Sequence, residues 1–542
     1  MKQNRAFMRL ETLFLTRLLG GLAVCMVVVA AYFGGATSAQ AQEATFRQAV
    51  AQAAAGDADL VAFYSARDFD GIWANDRKRR DALLAAFAEA GNHGLPMGRY
   101  DAQAAIDALR NSDSPAARGR AEVALSRLFL QYARDIQTGI LVPSRIDSNI
   151  HRDVPYRSRL ATIQAFEKSS PEGFLRALPP AAPEYARLLR EKLALERVLA
   201  NGGWGPGVEN RKLAAGDTGP AVAALRNRLI TMGYLARTAS QTYDAEMISA
   251  VQQFQLAHGL NPDGTAGPST LAEMNVEPAA RLQSLIVAME RERWINRPRG
   301  ERHIWVNLAD FSAQIIDNDK VTFATRSIIG ATAPDRASPE FSDVMEFMVI
   351  NPSWYVPRSI ITKEYLPMLQ NNPNAVNQLI LTDSRGQRVN RSEINFRAYT
   401  AANFPFSMRE PPSQGNALGL VKFMFPNKYN IYLHDTPTKN LFQRETRAFS
   451  HGCIRLNDPF DFAYELLSRQ VSDPEAFFQA HLRTGRERRV DLQQPVPVHL
   501  VYRTAYTKPD GRTQFRRDIY GRDARIWRAL AREGVAVRAI RG

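Results

Sequence analysis

Cysteine is nearly missing from this chain: Cys25 and Cys453 are the two in 542 residues. That scarcity excludes a disulfide framework and any Cys-x-x-Cys zinc or redox motif. Histidine is almost as rare, with eight residues, so a clustering of imidazoles carries information. Zinc-finger spacing and RNP-like aromatic motifs are also missing, and the arginines are spread through the chain, which argues against a nucleic-acid partner. No long apolar run follows residue 33, which excludes a multi-span membrane protein. Acidic residues fall short of basic ones, 55 against 69, for a net charge of +14. Such an excess suits an anionic surface such as cell wall or phospholipid headgroups, although a solvated Arg-rich surface accounts for most of it.

What is present is globular: 45% hydrophobic and 23% charged residues, in a chain long enough for three or more domains. The N-terminus stands apart. Lys2, Arg5, Arg9 and Arg17 precede the uncharged run Leu18–Phe33, and Ala39-Gln40-Ala41 fits a small-x-small cleavage site. Residues 1–41 therefore read as a signal peptide, with an uncleaved membrane anchor as the alternative. Cys25 falls in the apolar run behind Val24, which is too large for a lipoprotein site. After cleavage Cys453 is the lone thiol of an exported protein, either buried and inert or retained for reactivity.

Residues 42–205 are rich in Ala, Leu and Arg, and "RAEVALSRLFLQYARDIQ" spaces its apolar residues for a helix. This part is expected to be an α-helical domain in which Trp73 and His93 are structural. "NGGWGPG" (201–207) is a Gly-rich break. Residues 210–278 follow as a small unit of three helices. The first is expected to be capped by Asp217 and Thr218, to open at Pro220 and to stop at Gly233. After an amphipathic segment, "RLQSLIVAMERERWI", the period changes to two, and residues 300–525 read as mainly β. "TKPDG" marks a late hairpin turn. Residues 361–414 interrupt the β pattern with a helical stretch and a loop, which suggests an inserted lid. Residues 526–542 read as a C-terminal tail.

The chemistry gathers near residue 450. "YNIYLHDTP" places Asn430, Tyr432 and His434 on one face of a strand, and His434 at its end. Sixteen residues lie between His434 and His451, which begins His451-Gly452-Cys453. An imidazole can take the proton of a thiol, and a glycine permits a turn that aims successive N–H groups at one point. Spacing alone leaves two other readings open: a zinc site from His434, His451 and Cys453, and an inert buried thiol.

Two stretches resemble known families. Gly216-Asp217, Gly219, Val222, Leu225, Leu229, Gly233-Tyr234, Val251, Phe254-Gln255, Gly259-Leu260, Asp263-Gly264, Gly267 and Thr270 resemble a peptidoglycan-binding domain. His434-Asp435-Thr436-Pro437, Arg447 and "SHGCIRL" (450–456) resemble the L,D-transpeptidase (YkuD-type) motif. Asn351-Pro352, Trp354, Val356-Pro357, Asn416 to Gly419 with Lys422, and "DIYGRD" (518–523) extend the likeness. Nearly all of residues 45–525 is similar to the large, multi-domain YcbB-like subclass of that family. The resemblance implies a multi-domain α+β fold: a helical scaffold, a three-helix peptidoglycan-binding module and a mainly-β catalytic domain with an inserted lid. It implies Cys453 as nucleophile, His434 as its base, and His451, Gly452 and Cys453 as donors of oxyanion-hole amides, with the His451 ring lining the site. Arg455, Ser450, Arg447, Trp354, Tyr355 and Asn416 are implied contacts for substrate, with no metal or other cofactor.

The activity it implies is periplasmic peptidoglycan remodelling. A tetrapeptide stem would acylate the cysteine, release D-alanine and pass to a diaminopimelate amine in a 3→3 cross-link. An L,D-carboxypeptidase, attachment of a protein to the wall and a non-catalytic wall tether are the alternatives. Carbapenems are expected to acylate Cys453, and membrane contact is expected only through an uncleaved N-terminal segment.

Overall fold

The computed structural model describes residues 38–508 and 511–539. The expected signal peptide lies outside the described residues except for Ser38–Ala41, which open a helix running to Ala54. Among the described residues no helix is long and apolar enough to cross a membrane. The chain forms two compact units.

The first unit spans residues 38–90, 96–135 and 156–179 and is helical. Its centre is an unusual polar anchor. The carboxylate of Glu122, fully buried, accepts hydrogen bonds from the N–H groups of Ile72, Trp73 and Ala74 and from the Tyr64 hydroxyl. Gly71 has no Cβ because one would lie 2.7 Å from that carboxylate. Trp73 is fully buried and donates to Ser126 at 2.8 Å, a structural place. Burial pushes the Glu122 carboxyl upward despite its donors.

The second unit holds everything else. Its helix Pro183–Ala200 buries Tyr185, Leu188 and Leu195 against Leu282, Leu285 and Met289 of the helix Pro278–Trp294. His93 is structural too, hydrogen-bonded to Tyr185 at 3.0 Å. The helix Pro278–Trp294 was expected to be amphipathic, yet its last turns bury charges as well. Glu290 pairs with Arg293, Glu292 with Arg299 and Arg503, and Arg291 with Glu340 and Asp523. Pairing is what makes burial of those charges tolerable.

The three-helix module comprises Pro220–Thr231, Ala245–Ala257 and Pro268–Met274 around Val222, Leu225, Leu229, Val251, Phe254 and Leu271. Its first helix opens at Pro220 as expected. The cap is Gly219 without a side-chain bond, while Asp217 instead accepts from the Ala214 amide.

The strands are β1 (Arg302–Asn307), β2 (Ser312–Asp317), β3 (Lys320–Gly330), β4 (Phe341–Ile350), β5 (Trp354–Tyr355), β6 (Ile380–Thr382) and β7 (Ser407–Glu410). They continue as β8 (Val421–Met424), β9 (Leu433–His434), β10 (Ala448–Ser450), β11 (Ile454–Leu456), β12 (Arg488–Val501), β13 (Ala505–Thr507) and β14 (Thr513–Phe515). Eight of them close a ring in the order β3-β11-β9-β8-β4-β12-β1-β2, and β2 pairs back to β3. The result is an eight-stranded barrel, with β10 added along β3. Ile304, Ile315, Met348, Phe423, Leu433, Ile454 and Val498 belong to the core built on it, each contributing about 1.5–3 kcal/mol by burial. β13 and β14 form the late hairpin.

The insertion is a subdomain with its own core, including Val356, Ile361, Leu369, Phe396, Phe404 and Met408. It begins before residue 361, because Trp354 and Tyr355 pair with β7. Ser407–Glu410, expected as loop, is its central strand. The expected tail contains most of the helix Arg522–Arg532, which buries Ile526, Ala529 and Leu530.

Candidate active site

β11 runs parallel to β9 with Arg455 opposite His434, and β8 places Lys422 on the other side of His434. Side chains directly opposite in a sheet share a face. Lys422, His434 and Arg455 therefore stand in a row, on the face away from Phe423, Leu433 and Ile454 in the barrel core. Tyr432 and Cys453, two residues before His434 and Arg455, share the same face by alternation.

The Tyr432–His434 ring centroids are 5.6 Å apart. The N–H and the hydroxyl of Tyr432 both donate toward the Cys453 sulfur. Sequence reasoning assigned Tyr432 no role, although it lay on the His434 face. The Trp354 indole donates toward that hydroxyl, so Trp354 reaches the site through Tyr432. Tyr355 is 67% exposed.

Cys453 follows a turn that only a glycine makes easily. Gly452 has φ +116°, and a Cβ there would lie 3.2 Å from Ile431 Cδ1. Ser450 Oγ accepts from the Gly452 amide at 3.1 Å and donates to the Cys453 carbonyl at 2.5 Å. Two expectations change here. Ser450, 2% exposed, shapes the turn and offers no surface to a ligand. The Gly452 amide is already committed and is not a free oxyanion donor, whereas the amides of His451 and Cys453 have no protein acceptor among the described residues.

Two further candidates are structural. Arg447 donates to the carbonyls of Ser327, Phe311 and Arg444. Asn416 is fully buried, donating to the carbonyls of Glu410 and Pro411 and accepting from the Leu418 amide. Arg455 differs from both. Half-buried, it has no hydrogen-bond or ion-pair partner among the described residues.

His434 Nδ1 donates to the Asp435 carbonyl at 2.5 Å, which leaves Nε2 as the lone-pair nitrogen. Burial and the neighbouring cations Arg455 and Lys422 push its imidazole down to about 3, against the pull of the Asp435 and Leu418 carbonyls. Burial pushes the Cys453 thiol up to about 11, partly offset by the Tyr432 donors and Arg455. The free site therefore holds a neutral thiol and a neutral imidazole. The thiol donates to the Asn430 carbonyl at 3.5 Å.

His451 faces the insertion instead, where its Nε2 lies 2.7 Å from Glu364 Oε1. Arg336 binds the same oxygen at 2.8 Å. Glu364 was not anticipated, because nothing in the spacing ties a lid helix to a residue 87 positions away. Among the described residues no three His, Cys, Asp or Glu side chains converge as a metal-binding group.

Three family models match the chain. Residues 301–483 match the "L,D-transpeptidase catalytic domain", residues 58–193 the "Scaffold domain" and residues 218–274 the "Putative peptidoglycan binding domain". A "Putative L,D-transpeptidase" of Haemophilus influenzae is 26% identical over 303 residues, covering 54% of this chain and 60% of that relative. Solved L,D-transpeptidase structures from Xylanimonas cellulosilytica (16% identity, 55% of this chain, 98% of that one) and Stackebrandtia nassauensis (14%, 55%, 96%) have TM-scores of 0.16 and 0.21. Those scores are too low to establish a shared fold. The catalytic-domain match spans the Lys422, His434, Cys453 and Arg455 row. The chain thus joins a YkuD-type L,D-transpeptidase catalytic domain to a peptidoglycan-binding domain and an N-terminal scaffold domain.

Proposed function

We propose that this protein is a peptidoglycan L,D-transpeptidase that works by cysteine acyl transfer. The observation that carries the reading is the shared sheet face of His434, Cys453 and Arg455, with the thiol presented by the Gly452 turn. The Cys453 sulfur attacks the carbonyl of the third stem residue, diaminopimelate, while His434 Nε2 takes the thiol proton. The carbon–nitrogen bond to D-alanine then breaks, and His434 returns that proton to the departing amine. A thioester remains. The amine of a second stem attacks it, the carbon–sulfur bond breaks, and a 3→3 cross-link forms with the thiol restored.

The amides of His451 and Cys453 support the reading as donors to the developing oxyanion. Two cations on the site face, Lys422 and Arg455, the latter without an ion-pair partner among the described residues, suit the terminal carboxylate of the donor stem. Their charge is also part of what holds His434 down. A donor carboxylate that neutralises Arg455 would therefore make the imidazole a better base once substrate is bound. No step in this scheme calls for a cofactor.

A chain with a peptidoglycan-binding module works in the cell envelope, and we place this one in the periplasm on the basis of residues 1–41. Incubation with a tetrapeptide stem and a diaminopimelate acceptor, read by mass spectrometry, tests the reading. Cross-linked dimer and free D-alanine are expected. Tripeptide alone would make the enzyme an L,D-carboxypeptidase, and unchanged tetrapeptide would overturn the catalytic reading.

A further inference from the structure

The two imidazoles of the site stand in opposite surroundings. His434 is buried between Lys422 and Arg455, and its proton-donating nitrogen is tied to a backbone carbonyl. The His451 side chain is 37% exposed and points to a carboxylate from another part of the chain. That carboxylate, Glu364, lies in the one-turn π-type segment Ile361–Tyr365 of the inserted lid. Such segments are rare in helices and recur at functional sites. A second ion pair, Lys363 with Asp335 at 2.9 Å, fixes the same turn of the lid beside Arg336. The lid thus meets the nucleophile turn through Glu364. A His N–H donated to a carboxylate sets the tautomer and the ring plane, leaving the other nitrogen with its lone pair. Here Nε2 is the donor and Nδ1 the free acceptor.

Acyl transfer needs proton transfer twice, under different conditions. In acylation the thiol loses its proton inside a buried site. In transfer the acceptor arrives from solvent as an ammonium ion, which gives one proton to water before it can attack, and the resulting amine must shed a second as it bonds to the thioester carbon. The cationic His434 surroundings suit the donor carboxylate and repel that ammonium. We propose that His451, oriented by Glu364 of the lid, takes the proton of the acceptor amine in the transfer half-reaction, while His434 serves acylation. The amine nitrogen bonds to the thioester carbon and gives its proton to His451 Nδ1. The carbon–sulfur bond then breaks, and the proton passes from His451 to the Cys453 thiolate two residues along. Glu364 is a positioning residue. The charged groups around His451 are Glu364 and Lys363 from the lid and Arg336 and Asp335 from the loop after β3, and its own turn adds the titratable thiol of Cys453.

This inference rests on the transpeptidase reading, and separating the half-reactions keeps the two apart. Full-length wild type, Glu364→Gln, Glu364→Asp and Lys363→Ala are first acylated with tetrapeptide stem. The acyl-enzyme is followed by intact mass, and a diaminopimelate tripeptide is then added across a range of pH. Glu364→Gln is expected to acylate within about twofold of wild type and to transfer about a hundredfold more slowly, with its transfer pH profile displaced. Glu364→Asp should recover part of the transfer rate. Lys363→Ala, which loosens the same lid turn but keeps the carboxylate on His451, should lose less of the transfer rate than Glu364→Gln and keep the wild-type pH profile. Equal loss of both half-reactions in Glu364→Gln, no loss of transfer, or the same transfer defect in Lys363→Ala would overturn the assignment. A wild type that forms no acyl-enzyme instead defeats the transpeptidase reading, and this inference with it.

Discussion

Ser338 Oγ donates to the carbonyl of Gly452 at 2.6 Å. The same oxygen accepts from the Gly330 amide at 2.9 Å, so one buried hydroxyl joins the end of β3 to the nucleophile turn. The "DIYGRD" stretch stands behind it. The Tyr520 hydroxyl donates to the Gly330 carbonyl at 2.6 Å, and Arg522 donates to the Ser338 carbonyl at 2.7 Å. Arg522 is in turn paired with Glu340, which Arg291 also binds. A residue far from the chemistry in sequence therefore sets where Cys453 points.

Ser338→Ala tests that link. It leaves the Gly452 carbonyl and the Gly330 amide buried without their partner, at a cost of about 1–3 kcal/mol for each unsatisfied group. We expect a lower melting temperature and slower acylation by tetrapeptide in the same variant. Unchanged melting together with unchanged acylation would show that Ser338 does not hold the turn.

The neutral thiol and imidazole make a second prediction. A thiol raised to about 11 is almost wholly protonated at neutral pH, and its anion grows as pH rises. Alkylation of Cys453 by iodoacetamide in the free protein should accelerate about tenfold per pH unit from neutrality to roughly pH 10. A plateau below pH 7, the signature of a preformed thiolate–imidazolium pair, would contradict it.

Buried neutral histidines govern the acid side. Burial lowers His93 and His499 to about 4 and His434 to about 3, and it pushes His258 well down. Their folded values lie below the unfolded value of about 6.5. Between those limits the unfolded chain binds more protons, so stability falls as pH drops from about 6.5 toward 4. Each such group contributes up to about 1.4 kcal/mol per pH unit in that window. Melting temperature measured against pH should decline there, and a flat profile over the same range would contradict the burial of these rings.

Much of the molecule was legible because it depends on local pattern. Helical spacing gave the N-terminal half, Pro220 and Gly233 bounded a helix, and period-two runs gave the barrel strands. The segment before His434 shows where pattern stops. Its alternation suggests a strand from Tyr429, but Asn430 adopts φ +55°. Asn427 Oδ1 accepts from the amides of Tyr429 and Ile431, and the strand shrinks to Leu433–His434. Ser450, Arg447 and Asn416 read as substrate contacts because polar residues in a motif look the same whether they face a ligand or the backbone. Each proves to be occupied by carbonyls and amides of its own neighbourhood. Glu364 was out of reach for the opposite reason: its importance comes from a contact between a lid helix and a turn, which no spacing encodes.

Intact mass after treatment with meropenem is the measurement that goes straight to Cys453. A carbapenem ring presents the sulfur with an activated carbonyl and no leaving fragment, so the acyl-enzyme persists as a single added mass. Wild type should carry one adduct on the peptide containing Cys453, and Cys453→Ala should carry none. An unmodified wild type, or the same adduct on Cys453→Ala, would contradict a cysteine thioester at the heart of this protein's chemistry.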